Sequence, residues 1–185
     1  MASLPNSKAI TYDEWLRLPE VNDAIEEVVD GQVRIMPPAK FRHAKIVRRL
    51  CKGLDAQLDP KRYLALDTVF GLVIRKSPLT SRVPDLAVFD LRTVVEQDGY
   101  IHSAPQLVIE VLSPGNTRRE MQEKLQDYAA IGVPEVWLVS PEACTVEVLR
   151  LENGRLRCVQ ISSQGIVTPQ DFPAVSIDIA SIWPD

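Results

Sequence analysis

Two carboxylates and one lysine follow one another along the chain in an order that suggests metal-assisted chemistry. Asp85 and Glu110 each lie in a short apolar segment, and Lys124 follows on the next predicted helix. A carboxylate within apolar surroundings is costly to desolvate unless it is paired, protonated or bound to a metal. Two acids that converge beside a lysine would hold a divalent cation, which suits hydrolysis of phosphodiesters. The lysine would orient and help deprotonate an attacking water and stabilise charge on phosphorus.

Each of these residues also has an ordinary structural explanation. Asp85 follows a proline, where an aspartate commonly caps a turn. Lys124 lies within the apolar stripe of its helix, three residues after Met121 and four before Tyr128, where lysines often extend their amine to solvent. Glu110 is harder to explain in this way, because apolar residues flank it on both sides. The order acid, acid, lysine is therefore more informative than any one member.

Hydrophobic periodicity places these residues on an α/β framework. Strand, helix and strand over 107–139 predict a parallel crossover. The expected helices are an acidic piece near 22–27, an amphipathic helix over 43–58 and a helix over 117–131 that Thr117 caps together with Glu120. Strands are expected in 64–75, 84–89, 107–112 and 136–139, with hairpins at Asp30-Gly31 and, between 145–151 and 155–161, at Asn153-Gly154. The other expected elements are a capped turn from Thr11, a polar loop over 92–102 with a turn at Asp98-Gly99, and a short element over 179–183.

The length and bulk composition predict one soluble globular domain over 1–185, and the order of the predicted elements makes it an α/β domain. Of the 185 residues, 45% are hydrophobic and 25% charged, which is ordinary for a globular protein. There is no apolar run of about 18 residues and no signal-peptide core, so we expect neither a membrane span nor export. The three scattered cysteines favour reduced thiols and a cytoplasmic location.

Charge is unevenly distributed along the chain. The net charge is −4, which argues against a protein that coats nucleic acid by bulk electrostatics. Residues 40–62 nevertheless contain eight basic and two acidic residues, a net charge of +6. On the predicted helix these include Lys45 and Arg49, which form a basic face suited to a phosphate backbone. A solvated helix face is the alternative explanation.

Together, these segments resemble the PD-(D/E)xK nuclease superfamily and, more narrowly, its Uma family of putative restriction endonucleases. The resemblance covers about residues 10–180. In the superfamily the lysine stands two residues after the second acid, where this chain has Leu112. The Uma pattern is similar to this chain in placing the lysine on the following helix. The residues that carry the resemblance are 27–31, His43, 83–85, 109–114, Lys124, Tyr128 and 135–139.

The resemblance implies a restriction-endonuclease-like fold, with a central mixed β-sheet flanked by helices and a C-terminal β-hairpin. It implies that Asp85, Glu110 and the Val111 carbonyl bind Mg²⁺ or Mn²⁺, ions that prefer oxygen ligands. Glu27 would be a further acid that orients a water or a second ion, and the neighbouring Glu26 is the alternative for that role.

The resemblance further implies an endonuclease that acts on DNA. His43 and Arg82 would contact phosphate, although a histidine beside a basic helix is often a surface residue. A homodimer is expected, because enzymes that cut both strands commonly pair two sites. The DNA sequence recognised and the choice between DNA and RNA stay open.

Two other classes of function fit parts of the pattern. A non-catalytic binding or assembly module that retained the fold would show no metal affinity, and the displaced lysine and acidic net charge are compatible with it. A glycoside hydrolase would also use two carboxylates. That reading leaves the lysine without a role, and the chain has few of the aromatic residues that line sugar sites.

Overall fold

A computed structural model describes residues 9–19, 25–67, 70–115 and 117–184. The α/β class and the flanking helices expected from the sequence are confirmed. The elements of these ranges are, in chain order, α1 (Tyr12–Trp15), β1 (Ile25–Val29), β2 (Gln32–Met36), α2 (Phe41–Asp55), β3 (Tyr63–Leu66), β4 (Leu72–Lys76), β5 (Leu79–Arg82), β6 (Leu86–Asp90), β7 (Glu96–Gln97), β8 (Tyr100–Ile101), β9 (Leu107–Val111), α3 (Arg118–Ala130), β10 (Glu135–Ser140), β11 (Thr145–Glu152), β12 (Arg155–Ser162), β13 (Ile166–Val167), β14 (Ile177–Asp178) and α4 (Ile179–Ile182).

The strands form two six-stranded mixed sheets instead of one central sheet. The first has the order β2-β1-β5-β4-β8-β7, and the second has the order β12-β11-β10-β9-β6-β3. In the second sheet β9 and β10 are parallel and are joined through α3, as the crossover prediction required. β11 and β12 form the expected C-terminal hairpin, and β13 pairs with β14 in a small third sheet.

The two long helices cover opposite faces of the second sheet. Alternate residues of a strand point to opposite faces. Accordingly, Ile109 packs in the cluster that contains Ile46 and Leu50 of α2, whereas Val108 packs in the cluster that contains Tyr128 of α3. Burying each large aliphatic side chain of this kind contributes about 1.5–3 kcal/mol. No helix in the described ranges is long and apolar enough to cross a membrane.

Local signals for turns and helix starts appear where the sequence placed them. Asp30 and Gly31 both have positive φ between β1 and β2, as a tight type I′ hairpin requires. Thr117 begins α3 with a reciprocal capping box, in which its side chain accepts from the Glu120 amide and the Glu120 carboxylate accepts from the Thr117 amide. α3 ends before Gly132, whose φ is +85°.

Four segments differ from the expectations. The prediction of an acidic helix near 22–27 is wrong for residues 25–27, which form the start of β1. Residues 22–24 lie outside the described residues. The apolar stretch 64–75 is divided between β3 and β4. The loop 92–102 contains the short hairpin β7–β8 around its predicted turn. β5 was not anticipated, because its sequence Leu-Thr-Ser-Arg shows no apolar alternation, yet all four of its residues are buried.

Candidate active site at the edge of the second sheet

Strand pairing brings Asp85 beside the end of β9. β6 and β9 are antiparallel with Leu86 opposite Ile109, so Asp85, just before β6, lies level with Glu110. The Asp85 Oδ2 atom accepts a 2.7 Å hydrogen bond from the Val111 amide. The side chain is 25% exposed. The two predicted acids therefore lie at the same edge of the sheet, and Asp85 is the one that solvent can reach.

Glu110 is buried on the face that α3 covers. Its neighbours Ile109 and Val111 pack toward α2, so the alternation of the strand directs Glu110 toward α3. Both of its carboxylate oxygens lie 3.0 Å from the Lys124 Nζ atom. The Tyr128 hydroxyl donates a further, short hydrogen bond to the Glu110 Oε1 atom. Lys124 is thus part of a buried ion pair, and it does not extend to solvent.

Glu27 reaches the same lysine from the first sheet. It is 2% exposed, and its Oε1 atom lies 3.1 Å from the Lys124 Nζ atom. It also accepts a 3.0 Å hydrogen bond from Arg82 and a 3.2 Å hydrogen bond from the Val83 amide. Glu26 is only half-buried. Of the two adjacent acids, Glu27 is therefore the one that faces Lys124.

Arg82 holds a position that its sequence context did not indicate. At 1% exposure it pairs with Glu27 and, through Nε, with Asp127 at 2.7 Å. We expected Arg82 to contact phosphate, but here both ends of its guanidinium are bound by carboxylates away from solvent. It links β5 to α3 one turn beyond Lys124. Asp127 was missed altogether, although its spacing of three residues from Lys124 places both on one face of α3.

His43 lies in the site and not on an outer surface. Its Nε2 atom is 3.1 Å from the Asp85 Oδ1 atom, and its Nδ1 atom is 3.3 Å from the Ser113 hydroxyl. Burial opposes protonation, but the Asp85 hydrogen bond and charge raise the pKa of His43 above its ordinary value.

Arg49, expected to contact DNA, instead donates hydrogen bonds to the main-chain carbonyls of Ser181 and Trp183.

The titration behaviour follows from burial and from shared partners. Desolvation raises the pKa of Glu110 to about 7, against the attraction of Lys124 and assisted by the negative charge of Asp85. Burial also disfavours ionisation of Glu27, but Lys124 and Arg82 outweigh it and lower the pKa of Glu27. Lys124 has a raised pKa despite its burial, because Glu110 and Glu27 both attract its charge. It therefore stays protonated at neutral pH.

The cluster contains more negative than positive charge. Two permanent cations, Lys124 and Arg82, are joined by ion pairs to three carboxylates, and Asp85 beside them makes a fourth. The excess is two negative charges when all four carboxylates are ionised and His43 is neutral, a state that Glu110 reaches only above its pKa of about 7. The four carboxylates are those of Glu27, Asp85, Glu110 and Asp127.

A cavity of about 320 Å³ opens beside Asp85 and His43, with Ala44 and Arg48 of α2 on its wall. It gives a ligand access to the exposed acid of the cluster. Within residues 9–19, 25–67, 70–115 and 117–184, no three His, Cys, Asp or Glu side chains are arranged to enclose a metal ion by themselves. Any cation at this edge would need further oxygen ligands from main chain, water or substrate.

A family model described as Uma2, putative restriction endonuclease, matches residues 12–180. The chain belongs to the Uma2 family. A similar solved structure is the crystal structure of a putative nuclease belonging to DUF820 from Anabaena variabilis ATCC 29413, with 24% identity, coverage of 94% of this chain and 97% of that one, and a TM-score of 0.73. At this identity the likeness establishes the fold alone. No curated protein matches the chain.

The family resemblance drawn from the sequence is thereby confirmed, and Uma2 membership supports a nuclease. The structure also shows how this Uma2 chain accommodates the absence of a lysine two residues after Glu110. Leu112 occupies that position, and Lys124 reaches Glu110 from the following helix instead. The Lys124 ammonium therefore lies next to the Glu110 carboxylate, although the two residues are fourteen positions apart in the sequence.

Proposed function

We propose that this Uma2-family protein is a metal-dependent endonuclease that hydrolyses DNA phosphodiester bonds. The observation that supports it best is the excess of four carboxylates over two cations, Lys124 and Arg82, in a cluster next to a cavity that reaches Asp85. A divalent cation has the charge that would balance this excess. A non-catalytic module would have no reason to keep Glu110 buried among carboxylates, because desolvation and like charge both oppose its ionisation.

Asp85, Glu110 and the Val111 carbonyl are the groups we propose as ligands of Mg²⁺ or Mn²⁺. All are oxygen donors, and Mg²⁺ is commonly held by one or two carboxylates together with waters and substrate phosphate. When bound, the ion would lower the pKa of water and neutralise charge on the phosphate. Glu110 would share its carboxylate between the ion and Lys124, so we expect metal affinity to rise as Glu110 ionises near pH 7.

Lys124 acts in this proposal as a charged hydrogen-bond donor. Because its pKa is raised, it is a poor general base, and its contribution is to orient the attacking water and stabilise negative charge on phosphoryl oxygens. Glu27 forms a second ion pair with the Lys124 ammonium, at 3.1 Å. His43 fixes one oxygen of Asp85 and leaves the carboxylate aligned with β9.

DNA would approach from the α2 side of the edge. Of Lys45, Arg49 and Arg82, we propose Lys45 as a phosphate contact. Arg49 and Arg82 form hydrogen bonds and ion pairs within the protein. His43 would lie beneath the bound strand, close to the phosphate. A homodimer would bring two such sites to the two strands of a duplex, and sedimentation of the purified protein with and without DNA would test this.

The first experiment is Mn²⁺ titration calorimetry at low salt on wild type, Asp85→Ala and Glu110→Ala. Asp171→Ala, which removes an exposed acid elsewhere, is the matched control. We expect heat of binding in wild type and control and its loss in both site variants. Cleavage of plasmid DNA with Mn²⁺ should follow the same pattern.

Equal heats in all four proteins would exclude this ligand set. An absence of heat in every protein, repeated with a DNA oligonucleotide present to supply phosphate oxygens, would instead favour the non-catalytic module. In that case Asp85→Ala should leave any nucleic-acid binding unchanged.

A further inference from the structure

The first turn of α2 forms part of the rim of the site. Arg42 donates a 3.0 Å hydrogen bond to the Pro141 carbonyl after β10, and His43 contacts Asp85 at 3.1 Å. Ala39 and Ala44 line the cavity at Asp85. Phe41, in the same turn, is 80% exposed, more than any other large apolar side chain in the described ranges.

The surroundings of Phe41 are cationic. Lys45 lies one turn further along α2, and its Nζ atom is 5.5 Å from the centroid of the Phe41 ring. Lys40, the N-cap, is exposed and makes no capping hydrogen bond. From Lys40 to Lys52 the chain contains six lysines and arginines and no acid. An anionic partner fits this segment, whereas an apolar or basic protein surface would not.

Nucleic acid has the chemistry that matches both properties. Proteins that hold single strands combine basic residues along the phosphates with aromatic rings on which bases stack, and stacking tolerates any base. A base inside a duplex already stacks on its neighbours, so an exposed ring gains most from a base that is unpaired. Phe41 lies between Ala39 and His43 in the chain, and both of these residues line the cavity. A base stacked on its ring would therefore be close to a phosphate that enters at Asp85.

From these observations we infer that Phe41 is a stacking platform for an unpaired nucleobase, with Lys40 and Lys45 contacting the flanking phosphates. The inference rests on the proposed function and deepens it. It specifies that the strand engaged at the site is single or locally unpaired next to the scissile phosphate. Phe41 is a binding residue in this scheme and takes no part in proton transfer.

The test measures binding of a short single-stranded DNA that contains one 2-aminopurine, in EDTA and at low salt so that no cleavage occurs. Anisotropy gives the Kd, and quenching of 2-aminopurine reports stacking. We expect Phe41→Ala to raise the Kd by roughly 5- to 100-fold and to remove the quenching. Phe41→Trp should restore both. Leu91→Ala, an exposed apolar residue at the other end of β6, is the control and should match wild type.

The result that would overturn the inference is binding and quenching by Phe41→Ala equal to wild type, which would leave the endonuclease proposal standing. If Phe41→Ala retains binding but changes the molar mass in solution, Phe41 is a protein contact and the inference also fails. If wild type binds no DNA, the inference and the proposed substrate fall together. Because Phe41 is exposed, its replacement should leave the Tm unchanged, so loss of binding cannot be attributed to unfolding.

Discussion

Replacing Lys124 by methionine tests the electrostatics of the site directly. Lys124 is the cation that separates Glu110 from Glu27, at 3.0 and 3.1 Å. Removing one partner of a buried ion pair costs about 3–5 kcal/mol, and we expect a loss of this size at pH 7. Arg82 still pairs with Glu27, so the uncompensated charge falls mainly on Glu110.

The loss should depend on pH in a specific way. In wild type Glu110 ionises near pH 7, whereas in Lys124→Met its pKa moves higher. Above pH 7, folding of the variant therefore protonates Glu110, whereas folding of wild type does not. The free energy of unfolding of the variant consequently falls, relative to wild type, by about 1.4 kcal/mol per pH unit. At pH 5.5 Glu110 is largely protonated in both folded proteins, so the difference should shrink.

Urea unfolding at pH 5.5, 7 and 8 measures these differences. Adding Glu110→Gln to Lys124→Met removes the buried charge and should recover much of the loss at pH 8. Lys52→Met, an exposed lysine on α2, is the matched control and should stay within about 0.5 kcal/mol of wild type. A loss that is the same at all three pH values and is not recovered by Glu110→Gln would refute the assignment of Lys124 as the counter-ion of Glu110.

Arg82, Glu110 and two turn glycines give further predictions for urea unfolding. Arg82→Met leaves Asp127 without its ion-pair partner and Glu27 paired with Lys124 alone, and it should cost about 3–5 kcal/mol, with partial recovery in Arg82→Lys; a cost below about 1 kcal/mol would contradict the buried link. The pKa of Glu110 is raised in the folded protein, so its contribution to stability is present below about pH 4.5 and is lost as the pH rises to about 7. This loss amounts to at most about 3 kcal/mol, and Glu110→Gln should flatten the dependence of the unfolding free energy on pH over this range. Gly31→Ala should cost more than Gly154→Ala, since both have φ of +74° but only at Gly31 would the new Cβ lie 2.6 Å from neighbouring backbone; equal costs would show that the contact relaxes freely.

Much of the local structure could be predicted because its causes lie within a few residues. The capping box at Thr117 and the turns at Asp30-Gly31 and Asn153-Gly154 are short-range hydrogen-bond and dihedral preferences, and all appear in the structure. The second sheet was anticipated through its continuous apolar runs. β5 was not, because its burial comes from the strands and helix that surround it and leaves no periodic trace in its four residues.

The sequence by itself determined that Glu110 needs a partner and that Lys124 is placed to provide it. A glutamate between Ile109 and Val111 has to find a partner, and Lys124 lies on the face of an amphipathic helix that packs on the same strand. These conclusions follow from residue type and period alone, and so does the expectation of two converging acids.

Only the tertiary structure decided which further groups surround Lys124. Glu27 lies on β1 of the first sheet, and β1 pairs with β5. Arg82, the last residue of β5, forms ion pairs with Glu27 and with Asp127 of α3. His43 reaches Asp85 because α2 packs over β6 and β9. Contacts between residues that are forty or more positions apart depend on how sheets and helices pack, and packing is set by the whole core and not by any local pattern of residues.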